Sequence, residues 1–272
     1  APPSGYLALC SANLPEPTIS PNADTQADDH FNTKTYSGNS STQAITGIGF
    51  QPDWVWTKIR SSANNHYLLD SSRGGFNRLN SNNTNQEATS SNAISSFDSD
   101  GYTIEGAQNE MNLSGQTYVS WNWKANGGTT SSNTDGSITS TVQANTQAGF
   151  SIVQWTGTGS SGTIGHGLNS APEMLILKDT TVAYNWYVFT TATGSNIRFE
   201  GLNNANLSTS ASSQMTSTAT LIENVPALSS LNTSGSNMII YAFHSVAGYS
   251  KIGSYTGNGS DDGPIINTGF EP

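Results

Sequence analysis

The apolar positions of this chain fall in short runs. Most are four to seven residues long, rich in Val, Ile, Trp and Tyr, and bounded by Gly, Asn or Ser. Runs of that length between turn-forming residues predict β-strands. The stretch "YVSWNWK" (118–124) shows the pattern: Tyr118 and Val119 lie in opposite phase, and Trp121 and Trp123 share one face. No segment has the three-and-four spacing of an amphipathic helix. The pattern predicts an all-β chain built as tandem antiparallel β-sandwich modules of jelly-roll or concanavalin-like type, with little or no helix.

The runs also recur. An aromatic, a Gly-rich turn and an apolar strand closing on proline appear as "TYSGNSSTQAITGIGFQP" (35–52), "QWTGTGSSGTIGHGLNSAP" (154–172) and "SYTGNGSDDGPIINTGFEP" (254–272). The segments that follow correspond as well. "DWVWTKI" (53–59) matches "EMLILKD" (173–179), and "NHYLLD" (65–70) matches "NWYVFT" (185–190). "NLSGQTYVSWNW" from Asn112 returns as "NTSGSNMIIYAF" from Asn232, at nearly the offset that separates Tyr36 from Trp155. Many markers held at one offset indicate an internal repeat. The expected organisation is a lead segment (1–30), a first module (31–125), a linker or edge strand (126–148) and a second module (149–247). Residues 248–272 then read as the opening hairpin of a third module or as a cap on the second, and the chain as a segment of a longer protein.

Composition narrows the function classes. Apolar residues make up 34% and charged residues only 10% of the 272 positions. Low hydrophobicity can signal disorder, but 6 Trp, 10 Tyr and 9 Phe inside strand-like runs argue for a folded chain. The formal charge of −10 comes without any cluster of Lys or Arg, which argues against a nucleic-acid face. The single cysteine, Cys10, excludes an intramolecular disulfide and reads as a small apolar residue. No run reaches the ~18 apolar residues of a membrane-spanning helix, so no membrane insertion is expected. The first residues lack the basic flank and apolar stretch of a signal peptide. A role outside the cell would then need another route, such as release within a virion.

Candidate chemistry is sparse. The loop "SFDSDGYTIEG" gathers Asp98, Asp100 and Glu105 beside Gly101, an oxygen-rich composition suited to Ca2+. Asp and Gly also build plain turns, and that reading outweighs the metal. Trp54, Trp56, Trp121 and Trp123 offer aromatic faces for a carbohydrate platform, but alternating aromatics also fill cores. Trp54 and Trp56 lie on one face of their strand with Val55 on the other, as expected of a covered central strand, so core packing is favoured. His66 and Trp186, at matching positions of the repeat, are the better ligand-binding candidates, with Tyr67 and Tyr187 beside them.

Catalytic signatures are missing. The four histidines sit in separate contexts without metal spacing, and neither a nucleophile elbow nor a phosphate loop is present. Asp53 and Glu173 occupy equivalent places, as do Lys58 and Lys178. They read as strand-edge charges or, less readily, as acids for glycoside hydrolysis. No catalytic residue and no cofactor is assigned.

"GFQPDWVWTKIRSSANNHYLLDSSRG", "SFDSDGYTI", "GQTYVSWNWKANGG", "AGFSIVQWTGTGSSGTIGHGL" and "AGYSKIGSYTGNGSDDGPIINTGF" resemble the repeated β-domain of large tailed-phage virion proteins, common in marine phages and cyanophages. Such modules often follow a SPRY-like, concanavalin-type domain, and "APPSGYLALCSANLPEP" resembles the junction. Members usually run on through the third module, whereas this chain stops at Pro272. The resemblance covers almost the whole chain and implies a tail fibre, spike or adhesin at the virion surface. It implies no catalytic residues. The expected partners are further copies of the chain (a trimer is favoured), other virion proteins and host surface polysaccharide, with no nucleic acid. The alternative is a capsid decoration or head-fibre protein with a structural role, and a third reading is a carbohydrate-active enzyme domain.

Overall fold

Alternation along each strand sends side chains to two faces, and here both faces of the main sheets are apolar. The computed structural model describes residues 17–20, 23–192, 197–200, 202, 206–208 and 214–270, with 197–200 and 206–208 described as backbone. The fold is all-β, built of antiparallel sheets. The first half holds β1 (Phe31–Ser37), β2 (Gln43–Thr46), β3 (Trp54–Ile59), β4 (His66–Asp70), β5 (Asn77–Arg78), β6 (Ala88–Thr89), β7 (Ile94–Asp98), β8 (Gly101–Ile104) and β9 (Thr117–Trp123). One sheet has the order β1-β9-β3-β4 and a smaller one β2-β8-β7, while β5 and β6 pair with each other.

The second half holds β10 (Ser131–Asn133), β11 (Ser140–Asn145), β12 (Phe150–Thr156), β13 (Gly162–Gly165), β14 (Met174–Asp179), β15 (Tyr187–Thr190), β16 (Ile197–Glu200), β17 (Asn206–Ser208), β18 (Thr216–Ser217), β19 (Leu221–Val225) and β20 (Asn237–Phe243). Its large sheet contains the run β12-β20-β14-β15 and its small one is β13-β19-β18. The strand order of the first half therefore recurs in the second. The large second sheet is extended by β10 and β11 at one edge and by β16 and β17 at the other. A single helical turn, α1 (Ser229–Asn232), precedes β20.

Three cores fill the layers. Ile45, Phe50, Val55, Leu69, Tyr102 and Ile104 lie between the two sheets of the first half. Val153, Trp155, Leu177, Phe189, Ile222 and Ile240 do the same in the second. The third core is made jointly: Trp54, Leu68 and Leu79 pack against Phe150, Ile152, Ile176, Trp186, Ile239 and Tyr241. The two large sheets thus meet face to face, and the stack runs small sheet, large sheet, large sheet, small sheet. Trp54 is fully buried there, with its ring 4.2 Å from Tyr241 and nearly parallel to it. An anchor of that size contributes roughly 2–3 kcal/mol by burial alone. The sequence places Trp54 inside a module; in the fold it packs against the second half of the chain.

The repeated asparagines explain the recurring turn. Buried Asn112 donates from Nδ2 to the Ser41 and Gly106 carbonyls, and its Oδ1 accepts from the Asn39 amide. Buried Asn232 donates to Thr158 Oγ1 and the Ser160 carbonyl, and accepts from the Thr158 amide and Trp155 Nε1. Each asparagine clips the Gly-rich turn that follows β1 or β12. The third copy of that turn has no such setting among the described residues. Residues 251–270 add no strand to the second half, and Ile265 is 99% exposed, whereas its counterparts Ile45 and Ile164 are buried.

Candidate functional site

The face of the first large sheet that meets the third core does not end where its partner sheet ends. β3 sends Trp54, Trp56 and Lys58 to that face in turn. Register places Trp56 beside Trp121 of β9, and Lys58 beside His66 of β4. Trp54 is covered, Trp56 is half-buried against the core, and half-buried Trp121 joins none of the buried clusters. The Trp56 ring stands edge-on to Trp121 at 6.4 Å and to His66 at 5.9 Å.

His66 is fixed by its neighbours. Its Nδ1 accepts a 2.8 Å hydrogen bond from Trp56 Nε1. Partial burial, and secondarily the Lys58 ammonium, lower its pKa below the ordinary histidine value. The ring is therefore neutral at pH 7, and with Nδ1 accepting, its proton sits on Nε2. The backbone is held by asparagines: Asn82 Oδ1 accepts from the His66 amide, and Asn80 Nδ2 donates to its carbonyl. Asn82 Nδ2 also donates to Asn65 Oδ1. Lys58 Nζ donates to the Ile59 and Ser62 carbonyls. Lys58, Ala63, Asn64, Asn65 and Asn82 line an open hollow of about 450 Å³ at this corner. The result is a neutral imidazole and two indoles bordered by amides, able to stack on an apolar ring face and hydrogen-bond hydroxyls.

Of the four residues expected to bind ligand, His66 alone lies at this face. Trp186 is fully buried in the third core, its Nε1 donating to the Asn80 carbonyl at 2.8 Å. It matches His66 in the repeat, but the first half covers it, so it cannot offer a ring to a ligand. Tyr67 is buried in the first core, with the Arg78 guanidinium 4.6 Å from its ring centroid. Tyr187 is buried in the second core. Both alternate inward from the residue before them. Trp56 and Trp121, which the sequence offers as a platform but favours as core, are half-buried at this face, and the sequence passes over Asn64, Asn65 and Asn82. The signal available was the asparagine runs of "SSANNH" and "NSNNTN", which flank β4 on both sides.

The acidic loop is a hairpin between β7 and β8. Asp100 accepts from the Gly47 and Gly49 amides at 2.9 and 2.7 Å, which lowers its pKa and ties this hairpin to the turn after β2. Asp98 accepts from Thr103 Oγ1, and Glu105 is exposed beyond β8. The three carboxylates serve different neighbours, and no group of three or more metal-ligating side chains is present among the described residues.

The repeated charges are structural clamps. Asp53 Oδ2 accepts from the Ala125 and Gly127 amides, and Oδ1 from the Gly128 amide and Ser71 Oγ. Glu173 Oε2 accepts from the Ser245 amide at the corresponding exit from β20. Each acid holds the chain where it leaves the sheet.

A family model described as "Domain of unknown function (DUF7483)" matches residues 26–272. The chain belongs to the DUF7483 family. No curated protein and no solved structure matches it. The family match runs through both halves of the chain, in keeping with their shared central core.

Proposed function

We propose that this DUF7483 protein is a virion surface protein of tail-fibre or adhesin type that attaches to neutral glycans of a host surface without turning them over. The observation that carries the reading is the Trp56–His66–Trp121 face. There a neutral imidazole and two half-buried indoles share one sheet face, and Asn82 beside His66 leads into the hollow lined by Asn64 and Asn65. Aromatic faces pack on the apolar side of a sugar ring while amides and Nε2–H meet its hydroxyls. The absence of any cluster of Lys or Arg suits a neutral ligand over an anionic one, and the particle context rests on the resemblance to tailed-phage β-domains. Single sites of this kind bind weakly, and several copies on one particle gain strength through effective concentration.

The test is binding of the chain to extracted neutral surface polysaccharides, with Trp121→Ala and His66→Ala as probes. Each variant is expected to weaken binding about tenfold, a loss of about 1.4 kcal/mol. Both positions are partly exposed, so thermal melts should stay near the parent. Unchanged binding in both variants overturns the site. Release of shortened saccharide overturns the reading of attachment without turnover.

A further inference from the structure

Where the two large sheets diverge, a second cleft opens on the opposite side of the third core from the His66 corner. Its volume is about 420 Å³, within the usual range for small-ligand sites. The second half supplies one continuous polar row. Thr141 of β11 pairs directly with Gln154 of β12, and Thr156 pairs directly with Asn237 of β20. Thr139 and Thr180 extend the row at its ends. The side chains of Thr139, Thr141, Gln154, Thr156 and Asn237 make no hydrogen bond to another described residue. Further along the same strands this face turns apolar, at Ile152 and Ile239, where the first half covers it. The switch in residue type follows the edge of that cover.

The first half supplies the opposite wall, Arg73 and Glu87. Arg73 is 5% exposed, and all five of its N–H donors are committed. They go to Asp70 Oδ2, the Asn77 and Leu68 carbonyls, Glu87 Oε2 and the Tyr241 hydroxyl. With two carboxylates on it and no donor left, this arginine cannot recruit an anion. Glu87 is anchored through Oε2, and its side chain stays 27% exposed at the cleft. A fixed carboxylate facing a row of hydroxyls and amides presents acceptors and donors at once, without net positive charge.

We propose that this cleft binds a neutral, hydroxyl-rich ligand, one sugar unit of a glycan, which bridges the two halves. Glu87 accepts from ligand hydroxyls, while Gln154 and Asn237 donate from their amides and Thr141 and Thr156 complete the contacts. The inference rests on the reading of the protein as a glycan binder, but it uses a separate set of residues.

The experiment is an NMR titration of the labelled chain with glucose, galactose, mannose and N-acetylglucosamine, with sodium sulfate as the anion probe. The side-chain amide signals of Gln154 and Asn237 report on the cleft. At least one sugar is expected to shift both, with a Kd on the order of 1–10 mM. The affinity read from the Asn237 amide should fall at least tenfold in the double variant Thr141→Val, Gln154→Ala and persist in His66→Ala. Both substituted positions are at least partly solvent-exposed, so the variant's dispersed spectrum serves as the folding control. Failure of all four sugars to move the two amides overturns the proposal. So does an Asn237 shift that persists at parent affinity in the double variant, or shifts of both parent amides produced by sulfate. Because the cleft and the His66 face are probed by different variants, loss of binding at one leaves the outcome at the other unaffected.

Discussion

Asp53 is fully buried and accepts four hydrogen bonds, three from backbone amides just after β9 and one from Ser71. Burial outweighs those four donors and pushes its carboxyl above the usual aspartate range. A site that is four donors deep needs acceptors on both oxygens. Asp53→Asn keeps the shape but replaces one oxygen with an NH2 group facing donors, which leaves buried N–H groups unpaired. The variant should lose about 2–4 kcal/mol in urea unfolding. Ser71→Ala, which removes one donor and leaves the carboxylate three partners, should lose about 1 kcal/mol. Equal losses in the two variants would show that Asp53 does not act as the clamp. The sequence marked Asp53 and Glu173 as equivalent but left their role open. A repeated carboxylate reads the same from the sequence whether it faces solvent or a ring of amides.

At the scale of the element, the turn after β1 and β12 depends on glycine for space. A Cβ on Gly38 would come 2.4 Å from the Leu113 carbonyl oxygen, and one on Gly157 would come 2.0 Å from that of Thr233. Both oxygens belong to the backbone just after the clipping asparagines, so neither can yield without moving the clip. Gly257, at the same place in the third copy, has nothing within 4 Å. Gly38→Ala and Gly157→Ala should therefore each cost about 1–3 kcal/mol as overpacking, while Gly257→Ala stays within about 0.5 kcal/mol. Calorimetric melting of the three variants checks this, and a Gly257→Ala effect as large as the others would mean that the third turn is also clipped. Most of this element was legible. Short apolar runs between turn formers gave the strands, and Gly-rich turns recurring at the offset of Asn112 and Asn232 gave the repeat, though not the clip between them. β10 and β11 were only partly legible, because "SITSTVQA" lies in a polar stretch and owes its strand form to pairing with β12.

For the whole molecule, the repeat sets the strands but not the cover. His66 and Trp186 hold matching places, yet one borders an open hollow and the other is sealed by Asn80. Stacking the two large sheets gives equivalent residues unequal surroundings, which the alignment of the two copies does not show. That is why one of the four expected ligand residues lies at the candidate face, while Trp56 and Trp121, weighed as a platform, were set down to the core and the asparagines beside His66 were missed. Lys58 and Lys178 differ in the same way. Lys178 is fully buried, its ammonium donating to the Thr84 carbonyl of the first half and the Tyr184 carbonyl of the second. Burial pushes its pKa down from 10.5 to about 8, against the smaller opposing pull of Asp179. Between those two values the unfolded chain holds more protons on this lysine than the folded chain, so stability should rise with pH there. The slope is at most about 1.4 kcal/mol per pH unit. Tyr36, Tyr102, Tyr118 and Tyr241 have phenols raised by burial, so as pH approaches ~10 the unfolded chain ionises first and stability falls again. Urea midpoints taken from pH 8 to pH 9, before the unfolded tyrosines begin to ionise, should therefore climb in the parent chain. In Lys178→Met, which fills the site without a charge, the climb should flatten; a Met variant that keeps the full climb would remove Lys178 as its source.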